Sequence, residues 1–572
     1  MIWWVSDPDR GLSERLEIAR LEQSADWLQN VRWRLDGLKL LLDFEIVDAH
    51  SRWRLTMHYP EFFPSIPPLV FNADGERISG HQYGQSGELC LEYRPDNWEI
   101  TCTGSMMIES AHRLLVGESG GSHGQEVISV HAVSEGQRLR GTYLRLVIPE
   151  EALRLMQLLE DDNQIPIEIE EHLYGEAAVA HLTAVGTSDK RMWQQGKPVS
   201  TSSNYKGTAI RVRRGLTFPG PANEETLAFI LEAVCVVEEY PEWPPATYLL
   251  VDDATAWLAM AVRKAEGGVR VYGYATFVIG PDQQRLPVAN STLADKRIAL
   301  IGCGSLGSRT AAMLVRSGAR SLELFDDDIL TPGNLVRNEL DWRGVGAHKA
   351  KVLRARLREI APNANIAVQI VNLGGQESSE WTATALETLS KCDLIIDATA
   401  DATVFGLAAA AARFRGRAMI WAEIFSGGIG GIVARSRPGH DPSPDLARRQ
   451  ILTWCEDKNV EWEPLSIHVD YGVSRTDQPP LIADDADVSV IAGHLARLAI
   501  DTLRGGGSQF PAPAYAIGLA EGWIFTAPFD THPITYTGTD GWVGGSSPDE
   551  SKLKELVSLL FPEQDQDASC SV

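Results

Sequence analysis

Apolar residues recur at helical spacing near the start of the chain. LSERLEIARLEQSADWLQNV sets Leu12, Leu16, Ile18, Ala19, Leu21 and Leu28 mostly on one face and predicts a helix over 12–32. Two strand-like runs follow, LKLLLDFEIV and WRLTMHYP, and then a proline-rich passage, HYPEFFPSIPPLVFNADG. Proline fixes φ and removes a donor, so this passage predicts a rigid, turn-rich exit from a sheet. The helical pattern returns at SMMIESAHRLLV, and the Gly/Ser-rich stretch from Gly117 to Glu126 predicts a linker.

Between 127 and 285, strand patterns (TYLRLVI, AVAHLTAVG, TYLLVDD, VRVYGYATFVI) alternate with helical ones (EEALRLMQLLE, NEETLAFILEAVCVVEEY). This predicts a mixed α/β region whose local chemistry names no role. From 294 the pattern sharpens. KRIALIGCGSLGSRTAAMLVRSGARSLELFDDD reads strand, glycine turn, helix, strand; CDLIIDATAD and AMIWAEI read as further buried strands, and DVSVIAGHLARLAIDTLRG as a long helix. A short helix, DESKLKELVSLLF, precedes a polar tail. The expected division is 1–120, 127–285, 294–535 and 536–572, in an α/β and α+β multidomain chain.

Composition narrows the classes. A chain of 572 residues with 44% hydrophobic and 23% charged residues is ordinary for a multidomain globular protein. Its net charge of −25 disfavours phosphate backbones, so no nucleic-acid partner is expected. No apolar run is long enough for a membrane span, and the N-terminus lacks the pattern of a secretion signal. Seven cysteines, an odd number without a close CxxC pair, argue against a disulfide framework or a zinc knuckle and fit a reducing cytoplasm. His440, His468 and His532 are dispersed, with no HExxH helix, so no zinc site is expected.

Gly302, Gly304 and Gly307 form GxGxxG directly after the apolar run Ile298–Ile301. The first glycine permits a tight turn, the second lets backbone approach a phosphate, and the third lets helix pack on strand. Alone this supports a nucleotide-binding unit, and a dehydrogenase satisfies it equally. The next strand ends in FDDD, where a carboxylate can hold ribose hydroxyls. Then Asn334, Arg337 and Lys349 follow in a short polar stretch. Two cations and an amide behind a glycine loop suggest a triphosphate held for attack, which hydride transfer does not need.

The set Gly302, Gly304, Gly307, Asp326, Asp328, Asn334, Arg337, Lys349 and Asp397 resembles the ubiquitin-activating (E1-like) superfamily with its ThiF-type adenylyltransferases, over about 295–530. The resemblance implies a Rossmann-like adenylation domain that uses ATP and Mg2+ to adenylate a protein C-terminus. Asp326 would hold the ribose, and Arg337 and Lys349 the phosphates. After the third strand the family reads D-x-T-D; here Asp397-Ala398-Thr399-Ala400-Asp401 carries its second aspartate one residue later. Asp401 is the candidate on the metal side, with Asp397 as the alternative.

Upstream, YPEFFPSIPPLVF, His81 and GELCLEYRPDNW resemble a ubiquitin-conjugating (E2-like) domain over about 15–115, with Trp98 eight residues past Cys90. His81-Gln82-Tyr83 stands where that family has HPN, so Tyr83 occupies the register of the asparagine that supports the oxyanion. A thiolate at Cys90 is a chemically sensible acceptor for an acyl adenylate, because it stores the acyl group as a thioester for an amine. Cys455, in RRQILTWCEDKNVEW, is the candidate intermediate acceptor. Arg448, Arg449 and Lys458 are expected to lower its pKa, and Glu456 and Asp457 to raise it.

Together the domain order resembles bacterial E2–E1 fusion proteins of antiphage operons. That implies as partners a ubiquitin-like protein or a nucleotidyltransferase tail and a target protein, and homodimerisation through the adenylation domain. Two other readings stay open: an NAD-dependent Rossmann oxidoreductase, and a non-catalytic scaffold that binds a ubiquitin-like protein.

Overall fold

The computed structural model describes all residues except 1, 80, 83–86, 120–141, 161–162, 196–202, 212–222, 234–245, 253–256, 267, 281–285, 426–427, 459–482, 543–549 and 562–572. The chain divides into two compact units, Met1–Arg138 and Leu139–Val572.

In the first unit the helix Pro8–Ser24 starts where the Asp7 side chain accepts from the Arg10 N–H and Pro8 occupies the first turn. A four-stranded antiparallel meander follows: β1 (Leu28–Asp36), β2 (Lys39–Val47), β3 (Arg52–Tyr59) and β4 (Leu69–Asn72). The helix Gly104–Ser119 completes the layer. The helix expected over 12–32 therefore ends at Ser24. Leu28 has the right helical phase, but it is the first residue of β1, 3% exposed, and pairs with Ile46. Pairing with β2 outweighs the local periodicity, and a register shift between Gln29 and Arg32, with Asn30 at φ 56°, hides the strand alternation. Of the expected linker, Gly117 to Ser119 are still helical, and its remaining residues lie outside the described ones.

A buried charge ties these elements together. Glu14 is fully buried; its Oε2 accepts from the Tyr59 hydroxyl at 2.8 Å and the Gly104 N–H at 2.7 Å, and Arg10 lies 2.9 Å from Oε1. Burial pushes the Glu14 carboxyl above its ordinary range, and these donors work against that. Gly104 has to be glycine: a Cβ there would lie 2.1 Å from the Tyr59 hydroxyl.

The second unit holds two sheets. The first comprises β5 (Leu144–Pro149), β6 (Gln164–Tyr174), β7 (Ala177–Gly186), β8 (Arg191–Gln194), β9 (Ser203–Arg211), β10 (Ala246–Asp252), β11 (Trp257–Ala265) and β12 (Gly268–Ile279). β5 pairs with both β12 and β7, so the order β5-β12-β11-β10-β9-β6-β7 returns to its start and closes the sheet on itself. One face packs Leu146, Ile167, Leu182, Leu250 and Ala261 together. Glu171 shares that interior, accepting from the hydroxyls of Tyr248 and Tyr274 at 2.6 Å each and from Arg263 at 2.9 and 3.1 Å. Burial raises the Glu171 carboxyl, but these donors prevail and hold it below its ordinary range.

The second sheet comprises β13 (Arg297–Ile301), β14 (Ser321–Phe325), β15 (Asn365–Gln369), β16 (Leu394–Asp397), β17 (Ala418–Ile424), β18 (Gly430–Ser436), β19 (Ala514–Gly518) and β20 (Thr531–Ile534). Its order is β15-β14-β13-β16-β17-β18-β19-β20, with the first five strands parallel. The strands are apolar without alternation because both faces are covered. Ile298 and Leu300 pack among the helices Ser305–Arg316, Lys349–Ile360 and Asp485–Arg504. Ala299 and Ile301 pack among Ser379–Ser390, Ala402–Arg415 and Pro444–Asp457. The chain winds from β13 to β14 and β15, then crosses back to β16. The strand order thus reverses between β13 and β16, and a crevice opens at their carboxyl ends.

Candidate functional site

The glycine loop lies at that crevice. Gly302 has φ +87°, and a Cβ there would lie 2.9 Å from Thr399 Cγ2. A Cβ on Gly307 would lie 1.9 Å from the Gly302 carbonyl oxygen, so the helix Ser305–Arg316 packs on its own loop only with glycine there. At Gly304 a Cβ would meet nothing within 4 Å: the loop is open on that side, and Gly304 caps the helix without a side-chain bond. Uncapped N–H groups facing an open crevice are anion donors.

Asp326, just past β14, reaches back to this loop. Its Oδ2 accepts from the Cys303 N–H at 2.7 Å and its Oδ1 from the Asp328 N–H at 2.9 Å. Burial pushes the Asp326 carboxyl up, against those backbone donors and the Lys349 charge. Lys349, 8% exposed at the start of its helix, places Nζ 2.7 Å from Asp328 Oδ2. Asn334 accepts from the Thr331 N–H and hydroxyl, capping the short 3-10 helix Pro332–Arg337. Arg337 lines a cleft of about 540 Å³ with Val336, Ala483, Asp484, Asp485 and Ala486. Asp326, Asp328 and Lys349 thus meet at the loop, while Asn334 has a structural bond to keep.

At the end of β16, Asp397 is 3% exposed and Oδ1 accepts from the Thr399 N–H at 3.0 Å and hydroxyl at 2.7 Å. Burial raises its carboxyl to about 6. Asp401 caps the helix Ala402–Arg415, with Oδ1 accepting from the Thr403 and Val404 N–H groups at 2.8 and 2.9 Å. The displaced aspartate therefore has a local duty that its spacing alone does not reveal. Beside them stands a residue sequence reasoning passed over. Glu423 on β17 lies 2.9 Å from Arg448 on the helix Pro444–Asp457, and burial raises its carboxyl to about 7. The signal was present: an acid inside AMIWAEI, an otherwise apolar strand.

Cys455 is not on a surface. It is 1% exposed, packed with Ala447, Ile451 and the strand core. Burial pushes its thiol up to about 11, and Glu423 and Glu456 add to that. The expectation that basic neighbours activate it is corrected: Arg448 is engaged by Glu423, and the charges acting on the thiol are carboxylates. Cys303 and Cys392 are also buried, and burial raises both thiols.

In the first unit Cys90 is half-buried between Leu89 and Leu91, which are 2% and 5% exposed. The Leu89 N–H donates to the Val70 carbonyl and the Cys90 N–H to the His81 carbonyl, at 2.9 and 2.8 Å. His81 thus meets Cys90 through its backbone. The side chain that organises the segment is Gln82: Oε1 accepts from the Ile78 and Ser79 N–H groups at 2.7 and 3.1 Å, and Nε2 donates to the Gly87 carbonyl at 2.7 Å. Trp98 donates to the Pro64 carbonyl at 2.8 Å. Cys102 is buried. Tyr83, Cys235, His468 and Cys570 lie outside the described residues.

The family match falls on the second unit. Residues 278–480 match the ThiF family. The chain is 31% identical over 198 residues to the uncharacterized protein y4oA of Sinorhizobium fredii, covering 32% of this chain and 33% of that one. It is 25% identical over 405 residues to y4qC of the same organism, covering 63% and 67%. To the ATP-dependent ubiquitin transferase-like protein Cap2 of Vibrio cholerae it is 36% identical over 140 residues, covering 24% and 22%. The chain therefore spans about a third of the first of these relatives and under a quarter of Cap2. The ThiF region contains the glycine loop, Asp326, Lys349, Asp397, Glu423 and Arg448, in a Rossmann-type adenylation fold. Cys90 lies outside it. Among the described residues, no helix is long and apolar enough to cross a membrane.

Proposed function

We propose that the ThiF region uses ATP to adenylate the C-terminal carboxylate of a ubiquitin-like protein or of a nucleotidyltransferase tail. Cys90 then takes the acyl group as a thioester and passes it to an amine of a target protein. The observation that carries this reading is the open Gly302–Gly307 loop at the strand-order reversal, with Asp326 bonded to its Cys303 N–H and Lys349 beside it. Cap2, a relative named as an ATP-dependent ubiquitin transferase-like protein, supports the substrate class. For the first unit, support comes from a helix, a four-strand meander, a half-buried cysteine held by main-chain bonds and a second helix, as in conjugating domains.

The chemistry is a sequence of displacements. A carboxylate oxygen attacks the α-phosphorus and pyrophosphate leaves. The loop N–H groups and Lys349 hold the phosphates in line, and Asp326 holds the ribose; Lys349 exchanges Asp328 for phosphate when nucleotide enters. Asp401 and Asp397, at the end of β16 and the start of the next helix, would hold the Mg2+ that accompanies the triphosphate, and the ion would supply neutralisation of phosphate charge. The Cys90 thiolate attacks the acyl carbon and AMP leaves. An amine nitrogen then attacks the thioester, the amide forms, the amine loses its proton and the thiol is restored. The same reading puts the protein in the cytoplasm, as a homodimer acting in antiphage defence.

The test is pyrophosphate exchange with each candidate protein tail, followed by a non-reducing gel. A thiol-sensitive adduct lost in Cys90→Ala is the expected result. Hydride transfer from a nicotinamide cofactor without pyrophosphate release would favour an oxidoreductase. Unchanged function of Cys90→Ala in cells would favour a binding scaffold.

A further inference from the structure

Arg448 belongs to no loop or motif that reads as nucleotide-binding, yet it joins three elements at the edge of the crevice. Its side chain is 14% exposed. One guanidinium nitrogen lies 2.9 Å from Glu423 Oε1, on β17. The guanidinium carbon lies 4.4 Å from the centroid of the Phe405 ring. Phe405 is 4% exposed and sits one turn into the helix that Asp401 caps; its ring also meets Trp421 of β17, 5.1 Å away and edge-on. Arg448 therefore clamps β17 to the start of the Asp401 helix, across the carboxyl end of β16, where Asp397 ends its strand in register with Trp421.

Packing alone does not call for this pair. A buried Arg–Glu contact has to offset the desolvation of both ions, and apolar residues of the same volume usually do as well or better. The pair instead joins two elements that lead to the crevice: β17, whose Trp421 is in register with Asp397, and the helix whose N-cap is Asp401. Without it, the Phe405 ring that seats the start of that helix loses its partner.

We propose that Arg448, held by Glu423, is the positioning residue for the Asp397 and Asp401 carboxylates of the nucleotide site. It touches neither reactant; it fixes the place of the groups that would receive Mg2+ with the triphosphate. This inference rests on the adenylation reading.

The experiment measures binding of a non-hydrolysable ATP analogue to the full chain by calorimetry, with Mg2+ and with Mg2+ removed by chelation. In Arg448→Met the Mg2+-supported affinity is expected to fall about tenfold to a hundredfold, the usual cost of losing a residue that orients metal-binding groups, while the weaker Mg2+-free affinity stays within about twofold. Arg448→Lys, which keeps the charge and loses the fork, is expected to recover part of the loss, and Glu423→Gln to lose about threefold. Equal losses with and without Mg2+, or no loss, overturns the inference. If Arg448→Met fails to fold, Arg448→Lys and Glu423→Gln give the same two-condition comparison and decide it. A wild-type chain that binds the analogue while both milder variants bind identically sinks the role of Arg448 alone. A wild-type chain that binds no ATP analogue sinks the adenylation reading, and this inference with it.

Discussion

Two cysteines of this chain, Cys90 and Cys455, look alike in one dimension and differ in three. Each directly follows a bulky apolar residue, Leu89 or Trp454, and has charged residues nearby. Cys90 sits in an extended segment whose neighbours, Leu89 and Leu91, are the buried residues, so the residue between them turns to the other side. Cys455 sits on the inward stripe of a helix with Ala447 and Ile451, and carboxylates surround its thiol. Accessibility of a nucleophile is thus set by the period of the element that carries it. Period two alternates a cysteine out of a core that flanks it, and a helical stripe seals it in.

The sharpest way to break this contrast is Cys90→Ala. It is expected to abolish the thiol-sensitive adduct on a non-reducing gel while pyrophosphate exchange continues; an adduct that persists moves the acceptor elsewhere. Next comes Gly307→Ala. A Cβ 1.9 Å from the Gly302 carbonyl forces loop and helix apart, so nucleotide affinity is expected to drop by about a hundredfold, and the Cys90 adduct to vanish for want of adenylate. Calorimetry with an ATP analogue separates that cause from a damaged thiol.

A smaller effect is expected of Glu423→Gln. The Glu423 carboxyl titrates at about 7 in the fold, above the 4.5 of an unperturbed glutamate. The native state therefore holds the proton where the unfolded chain has lost it. Stability should be highest below about pH 4.5 in this respect, fall as pH rises to about 7, and level off. Removing the titration should shrink that fall by on the order of 2 kcal/mol, read from urea unfolding at pH 5 and 7.5. Asp397, raised to about 6, contributes in the same direction and remains in the variant. The smallest effect is that of Cys455→Ala: adduct formation within about twofold of wild type, with about 1 kcal/mol of stability lost for a small buried side chain. A large loss of adduct in that variant would return Cys455 to the transfer route and dissolve the contrast.

Much of the ThiF region was legible because its constraints are local. Gly307 must be glycine because of a carbonyl five residues back, Gly302 takes a positive φ in its own turn, and the unbroken apolar runs of β13 and β16 announce strands covered on both faces. The periodicity runs past the end of the first helix because Leu28 keeps the helical phase by coincidence and the bulge at Asn30 conceals β1. Asp401 reads as a metal-side carboxylate by position, and only the hydrogen bonds reveal its work as a helix cap. Gln82 reads as a substitution in a motif, and only the fold shows it bridging Ile78, Ser79 and Gly87.

By itself the sequence determined the strand–turn–helix–strand unit that opens the second sheet, two further buried strands and a long helix after it, where the glycine loop stands, and which residue types gather behind it. These follow from backbone sterics and hydrophobic period, which act over a few residues. Tertiary structure alone decided that β5 meets β7 to close a sheet, that Glu423 and Arg448 meet at the edge of the crevice, and that one cysteine is half-buried while another is sealed. Those outcomes depend on contacts between residues far apart in the chain, and on the desolvation that packing imposes on each charged or nucleophilic group.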